Sequence, residues 1–213
     1  MKKIISLALV LVMVLALCAC GAPKTVVDDS LSYCIVDTNA KSVTIKCQVN
    51  GKYFNESTRH GIVFSEGSNG EKAILRGLVS EKDFYAALIG LGAVPGDNLT
   101  LPMEPGLFVE GEELDITISW DGSKGEIPFE NIVKTGNGKP YTMDCRFGGN
   151  IINATNKFTG CIFCLDSCAV GITSNADYAT CVVEGTKTEQ FYGNADILPA
   201  DGTIVNVTFT RLG

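Results

Sequence analysis

The sequence predicts a mainly β domain of the α+β class, an antiparallel sandwich- or barrel-like sheet with one amphipathic helix. Three observations carry that prediction. Short stretches of alternating apolar and polar residues recur along the chain. Turn formers separate them, with 23 Gly and 7 Pro in 213 residues. A single segment repeats at helical spacing.

Taken in order, Ser32 to Val49 reads as two short strands around the polar turn Thr38-Asn39-Ala40-Lys41-Ser42. A hairpin centred there sets Cys34 against Cys47 and Val36 against Ile45. It gathers Val43, Ile45, Cys47 and Val49 on one face. Directly opposed cysteines lie within bridging reach, so a Cys34–Cys47 disulfide is expected, with two buried thiols as the alternative. Gly61 to Ser65 and Lys72 to Leu78 read as a second strand pair across Glu66-Gly67-Ser68-Asn69-Gly70.

Ser80 to Leu91 is the helix. Ser80 suits the N-cap, with Asp83 in the place of a capping-box Glu. Phe84, Ala87, Leu88 and Leu91 form its core stripe, Gly92 suits the left-handed position after the last turn, and Pro95 blocks continuation. Residues 95–113 read as a loop. Leu114 to Trp120 alternates with Ile116, Ile118 and Trp120 inward, and Asp121 to Gly125 is a turn. Tyr141 to Phe147 is a strand that ends at Gly148-Gly149, and Thr203 to Arg211 closes the sheet with Val205, Val207 and Phe209 on one face.

The first thirty residues have a different character. Met1-Lys2-Lys3 is a positive start, Ile4 to Leu17 is apolar except for Ser6, and small residues follow in Leu17-Cys18-Ala19-Cys20-Gly21. The apolar run is short for a membrane span and has the proportions of a secretory signal. Leu17, Ala19 and Cys20 resemble a bacterial lipobox, which implies cleavage before Cys20 and a diacylglyceryl group on its thiol. Residues 1–19 then form a lipoprotein signal peptide, 20–30 a tether and 31–213 a single domain, held at the cell membrane on its extracytoplasmic face. Two acyl chains suffice for stable anchoring where one is marginal.

The formal charge of −7 disfavours nucleic acid as a partner, since phosphate neutralisation needs a basic face. With one His in the chain, any Ser-His or Cys-His apparatus depends on His60. That residue follows Arg59 at the start of a strand. It reads first as a satisfied edge-of-strand histidine and second as a ligand or a base.

Of nine Cys, Cys18 leaves with the signal and Cys20 carries lipid. The remaining seven cannot all pair, so at least one stays free or several bind something else. Three lie within eight residues, in Cys161-Ile162-Phe163-Cys164-Leu165-Asp166-Ser167-Cys168, and three readings compete. The first is a metal or iron–sulfur site. Cys161, Cys164 and Cys168 match the last three positions of the bacterial ferredoxin spacing, but Phe158 stands at the first and Ala169 replaces the usual Pro, so Cys145 or Cys181 must complete the set. Zinc is the other candidate ion, provided a turn at Asp166-Ser167 brings the three thiols together. The second is thiol–disulfide exchange through Cys161 and Cys164, with Gly160 opening a helix. The third is structural, a β-turn with disulfides to Cys145 and Cys181. No phosphate-binding GK[ST], HExxH or EF-hand loop is present, and Gly90 to Gly96 is a helix stop.

Several stretches together resemble the YdjY-type domain of bacterial extracytoplasmic proteins and lipoproteins. Ala86 to Gly96 is similar to that family's ALLALGAKPG helix and turn, and Phe147-Gly148-Gly149-Asn150 stands where the family has FTGS. Trp120 after an alternating strand, Ile172 to Asn175, and Leu198 to Val205 also fit. The resemblance implies one domain over about residues 31–212 and brings no established activity, and it places the thiol cluster in β-hairpin territory. The function expected is a non-catalytic binding or structural module for a protein or small-ligand partner, with no cofactor. The alternative is a metal or iron–sulfur carrier, and an enzyme with His60 as base ranks third.

Overall fold

A computed structural model describes residues 33–213. The expected signal peptide, the Cys20 lipid site and the tether lie outside the described residues. Among those described, no helix is long and apolar enough to cross a membrane.

Among the described residues, twelve strands and two helices follow one another: β1 Cys34–Asp37, β2 Ser42–Val49, β3 His60–Phe64, β4 Ala73–Gly77, α1 Glu81–Gly90, β5 Glu113–Ser119, β6 Ile127–Pro128, β7 Val133–Thr135, β8 Cys145–Arg146, α2 Ile151–Lys157, β9 Cys161–Cys164, β10 Thr173–Asn175, β11 Phe191–Gly193 and β12 Ile204–Arg211. The main sheet runs β1-β2-β12-β5-β8-β10-β9-β3-β4, and a further β2–β4 pairing closes eight strands into a barrel. β2 makes the closure possible. One of its edges pairs with β12 from Ser42 to Gln48. The other is shared, with β1 on Ser42–Ile45 and β4 on Cys47–Val49.

The barrel is mixed, where an antiparallel sheet is expected from the sequence. β3 and β4 run parallel, with His60 opposite Ala73 and Phe64 opposite Gly77. β9 and β10 are also parallel. The segment after Phe64 therefore does not turn back as a hairpin. It returns along the strand to start β4 at the same end, passing through a short 3-10 turn at Gly70–Lys72.

The apolar alternation does its expected work. Val43, Ile45, Cys47, Val49, Ile116, Ile118, Val205, Val207 and Phe209 are all fully buried, and Trp120 is partly buried against the same core. Helix α1 starts at Ser80, whose side chain accepts the amide of Asp83. Its Phe84 ring meets Phe209 at 4.7 Å between centroids. Phe84 and Leu88 are buried, Ala87 and Leu91 partly so, while Ile89 faces outward, so the helix is less sharply two-faced than the sequence suggests. Gly92 takes a φ of 79° after the last turn. Of the expected strand Tyr141 to Phe147, only Cys145–Arg146 pairs.

The first hairpin differs in register. Cys34 stands opposite Ile45 and Val36 opposite Val43. The Asp37 side chain accepts the amides of Asn39 and Ala40, both at 2.9 Å, and so closes the turn one residue early. A two-residue shift preserves the buried face but moves Cys47 out of line with Cys34. No disulfide forms among the described cysteines, which corrects the expected Cys34–Cys47 bridge.

Candidate functional site

The thiol cluster sits on the β3–β9 wall, and a local irregularity builds it. On a regular strand, residues i and i+3 point to opposite faces. Here the β3–β9 register shifts, with His60 opposite Cys164, Ile62 opposite Phe163 and Val63 opposite Cys161. Ile162 and Phe163 consequently both enter the main core, whereas Cys161 and Cys164 join Val63, Ala73 and Cys168 in a separate buried cluster. Gly61 permits this, because a Cβ there would stand 2.6 Å from the Phe163 ring. The bulge turns a C-x-x-C spacing into two thiols on one face.

His60 completes the group. Its Nδ1 lies 3.7 Å from Cys161 Sγ. The ligand atoms of His60, Cys161 and Cys164 all fall within 4.8 Å of one another. Cys168 arrives on the loop after β9 and hydrogen-bonds Cys164. Cys161 and Cys164 have no accessible surface, Cys168 keeps 1% and His60 7%. Around them, Asn69 Nδ2 approaches Cys161 Sγ at 3.8 Å. Asn150 Nδ2 donates to the carbonyls of Cys168 and Gly171, each at 3.1 Å. Gly171 lies so close that a Cβ there would meet Cys164 Sγ at 3.0 Å.

The electrostatics are graded across the row. Cys164 keeps its proton: its hydrogen bonds to Cys161 and Cys168 push its thiol up, and burial adds to that. The Cys164 hydrogen bond and the neighbouring His60 pull Cys161 well below the usual thiol range, against burial. Cys168 is pulled down by the same central thiol and by the Arg59 charge, again against burial. Burial opposes the charge on His60, but its hydrogen bond to Cys161 and the charge there outweigh it, so the imidazole titrates above its ordinary value. The central thiol is thus pushed up and the two outer ones pulled down, with His60 beside Cys161 and Arg59 beside Cys168.

Such a row fits a single ion. Tetrahedral zinc with metal–sulfur arms of about 2.3 Å and a metal–nitrogen arm of about 2.0 Å has a sulfur–nitrogen edge of about 3.6 Å. The Cys161–His60 separation of 3.7 Å is close to that edge. Cys161 and Cys164 are unbridged, and their side chains are hydrogen-bonded to each other. Cys161 also lies on a strand, so the expected helix-opening role of Gly160 falls away.

Cys145 and Cys181 do not complete the set, which corrects the expectation that one of them is the fourth ligand or that they bridge to the cluster. Cys145 is in the main core beyond β10, where its neighbours are Asp144, Thr173 and Arg146. Cys181 lies on the loop after β10, 3.8 Å from the Met103 carbonyl oxygen. His60 is the candidate ligand that the cysteine spacing does not reveal. It lies 101 residues from Cys161, and its being the one histidine of the chain is the signal that singles it out.

The YdjY domain family model matches residues 34–210. The chain belongs to the YdjY family. Among YdjY proteins, it is 45% identical over 174 residues to the uncharacterized protein YdjY of Escherichia coli (strain K12), a match that covers 82% of this chain and 76% of that protein. No solved structure matches it. The YdjY assignment spans nearly all the described residues, so the barrel and its thiol wall lie within one family domain.

Proposed function

We propose that the protein is a membrane-anchored, extracytoplasmic metal-binding lipoprotein that holds one soft divalent ion of the zinc class through His60, Cys161, Cys164 and Cys168. The metal assignment rests on one observation: an imidazole nitrogen and two thiols already stand at single-ion spacing in a buried cluster, and a third thiol, Cys168, is hydrogen-bonded to Cys164 beside them. Membrane attachment rests on the lipobox-like run ending at Cys20.

The same spacing argues against an iron–sulfur cluster, whose thiolates bind separate irons and so stand further apart than ligands of one ion. Four protein ligands fill a tetrahedron and leave no open position for substrate or water. The centre is therefore structural, stapling β3, β9 and the following loop into a module that presents its surface to a partner. Ion binding displaces the Cys164 proton and requires neutral His60, so it releases protons and weakens in acid.

The test is metal analysis of the full chain after anaerobic purification. About one zinc per chain is expected, lost in Cys161→Ser and in His60→Ala. A metal-free protein that takes up no added zinc, or an intense visible absorption with iron and sulfide, would overturn the assignment.

A further inference from the structure

We infer that Arg59 is the positioning residue that makes this a three-thiolate centre, and thereby one selective for soft ions. The inference rests on the metal reading above and adds to it the device that brings in Cys168.

Cys161 and Cys164 are fixed by the β9 ladder, but Cys168 is not on a strand. It is delivered by the loop Leu165-Asp166-Ser167, and Arg59 holds all three of those residues. The Arg59 carbonyl accepts the Leu165 amide at 2.8 Å. Its Nε and Nη2 both donate to Asp166 Oδ1, at 3.0 and 2.8 Å. Nη2 also donates to the Ser167 carbonyl at 3.3 Å. Nothing but a planar fork makes these side-chain contacts together. The guanidinium is 6% exposed and the Asp166 carboxylate is fully buried, so water does not compete for either. A buried pair of this kind is weak evidence for stability and better evidence for specifying one arrangement.

The placement in sequence gives the device its economy. Arg59 and His60 are consecutive at the start of β3. One supplies a ligand and the other sets the loop that supplies a second. Arg59 also lies close enough to Cys164 and Cys168 for its charge to act on both. Three thiolates, one imidazole and a divalent ion leave a net negative centre, and the guanidinium is the cation beside it. The loop is also tied where the Tyr141 hydroxyl donates to the Leu165 carbonyl, the Ser167 amide to the Tyr178 carbonyl and Asn150 Nδ2 to the Cys168 carbonyl. Losing the fork removes the charged ties at Asp166 and Ser167 and lets Cys168 shift out of reach, which leaves two thiolates and one imidazole. Such a site admits water and harder ions, because thiolate number is what selects for soft ones.

The test counts protected thiols. Full-length protein, Arg59→Met and Arg59→Lys are each loaded with one equivalent of zinc, alkylated, and mapped by mass spectrometry. In the unaltered protein, Cys161, Cys164 and Cys168 are all expected to be protected. In Arg59→Lys, which keeps the charge but not the fork, Cys168 is expected to alkylate while Cys161 and Cys164 stay protected, and the preference for zinc over manganese to fall at least tenfold. Arg59→Met should behave likewise, and Asp166→Asn, which keeps the Oδ1 acceptor, should protect all three. Protection of all three thiols in Arg59→Lys overturns the role of Arg59 and leaves the metal centre standing. Zinc that protects none of them in the unaltered protein overturns the metal centre and this inference with it.

Discussion

The β2–β12–β5 wall and the β3–β9–β10 wall close the same barrel but are assembled on different terms. In the first, three long strands pair antiparallel and in continuous register, and the inward residues are Val, Ile, Leu and Phe with Cys47. In the second, strands of three to five residues pair both parallel and antiparallel, with a double register shift between β3 and β9. Its buried residues include Arg59, His60, Asp166, Ser167, Thr173, Ser174 and Asn175. Two of its buried polar atoms, Asp166 Oδ2 and Ser174 Oγ, have no hydrogen-bond partner. Leaving such groups unpaired costs stability. The first wall is optimised for burial, and the second gives up regularity and gathers buried polar and thiol side chains. Deviations from the cheapest packing concentrate at functional sites.

This contrast can be broken by mutation, and the effects should separate by wall. The largest loss of stability is expected from Phe209→Ala in the regular wall. Phe209 is fully buried and contacts Phe84, so truncation should cost about 3–5 kcal/mol in urea unfolding. Zinc stoichiometry of the folded fraction should stay unchanged. A drop in metal content would mean that the walls are not independent.

A smaller effect on stability with a large effect on metal is expected from Gly171→Ala. The new Cβ would lie 2.6 Å from Ser174 Oγ and 3.0 Å from Cys164 Sγ. Overpacking of this size costs about 1–3 kcal/mol. It also pushes Cys164 off its ligand position, so competition with a chelator should show weaker zinc retention. Full retention would show that the thiols are not set by this close approach.

The smallest effect is expected at the start of α1. Ser80 accepts the Asp83 amide at 3.1 Å and also bonds the Asp83 carboxylate. Ser80→Ala should cost about 1 kcal/mol through the cap of α1, with zinc retention and thiol protection unaltered. A change in either would tie α1 to the centre.

The same contrast explains what the sequence discloses. The regular wall is legible because alternation is a local code. Leu114 to Trp120, Thr203 to Arg211 and the inward face of β2 follow from period two, and Ser80, Phe84 and Gly92 mark α1 from caps and spacing. The hairpin register was out of reach because it depends on which side chain closes the turn, and Asp37 does so. Helix α2 carries no strong apolar period, and Asn150 precedes it in a left-handed conformation. In the second wall, the sequence shows three thiols but not how they face. That depends on a bulge in which Ile162 and Phe163 both turn inward. It also depends on a partner strand a hundred residues away, so neither His60 nor the Arg59 fork could be paired with the thiols by spacing. Parallel pairing of β3 with β4 and of β9 with β10 is likewise a property of the crossover loops and not of the strands.

X-ray absorption at the zinc edge of the full chain, loaded with one equivalent of zinc, tests the centre most directly. The account predicts three sulfur neighbours at about 2.3 Å and one nitrogen at about 2.0 Å. A first shell made of oxygen and nitrogen alone, or zinc left unbound beside unprotected thiols, would contradict it.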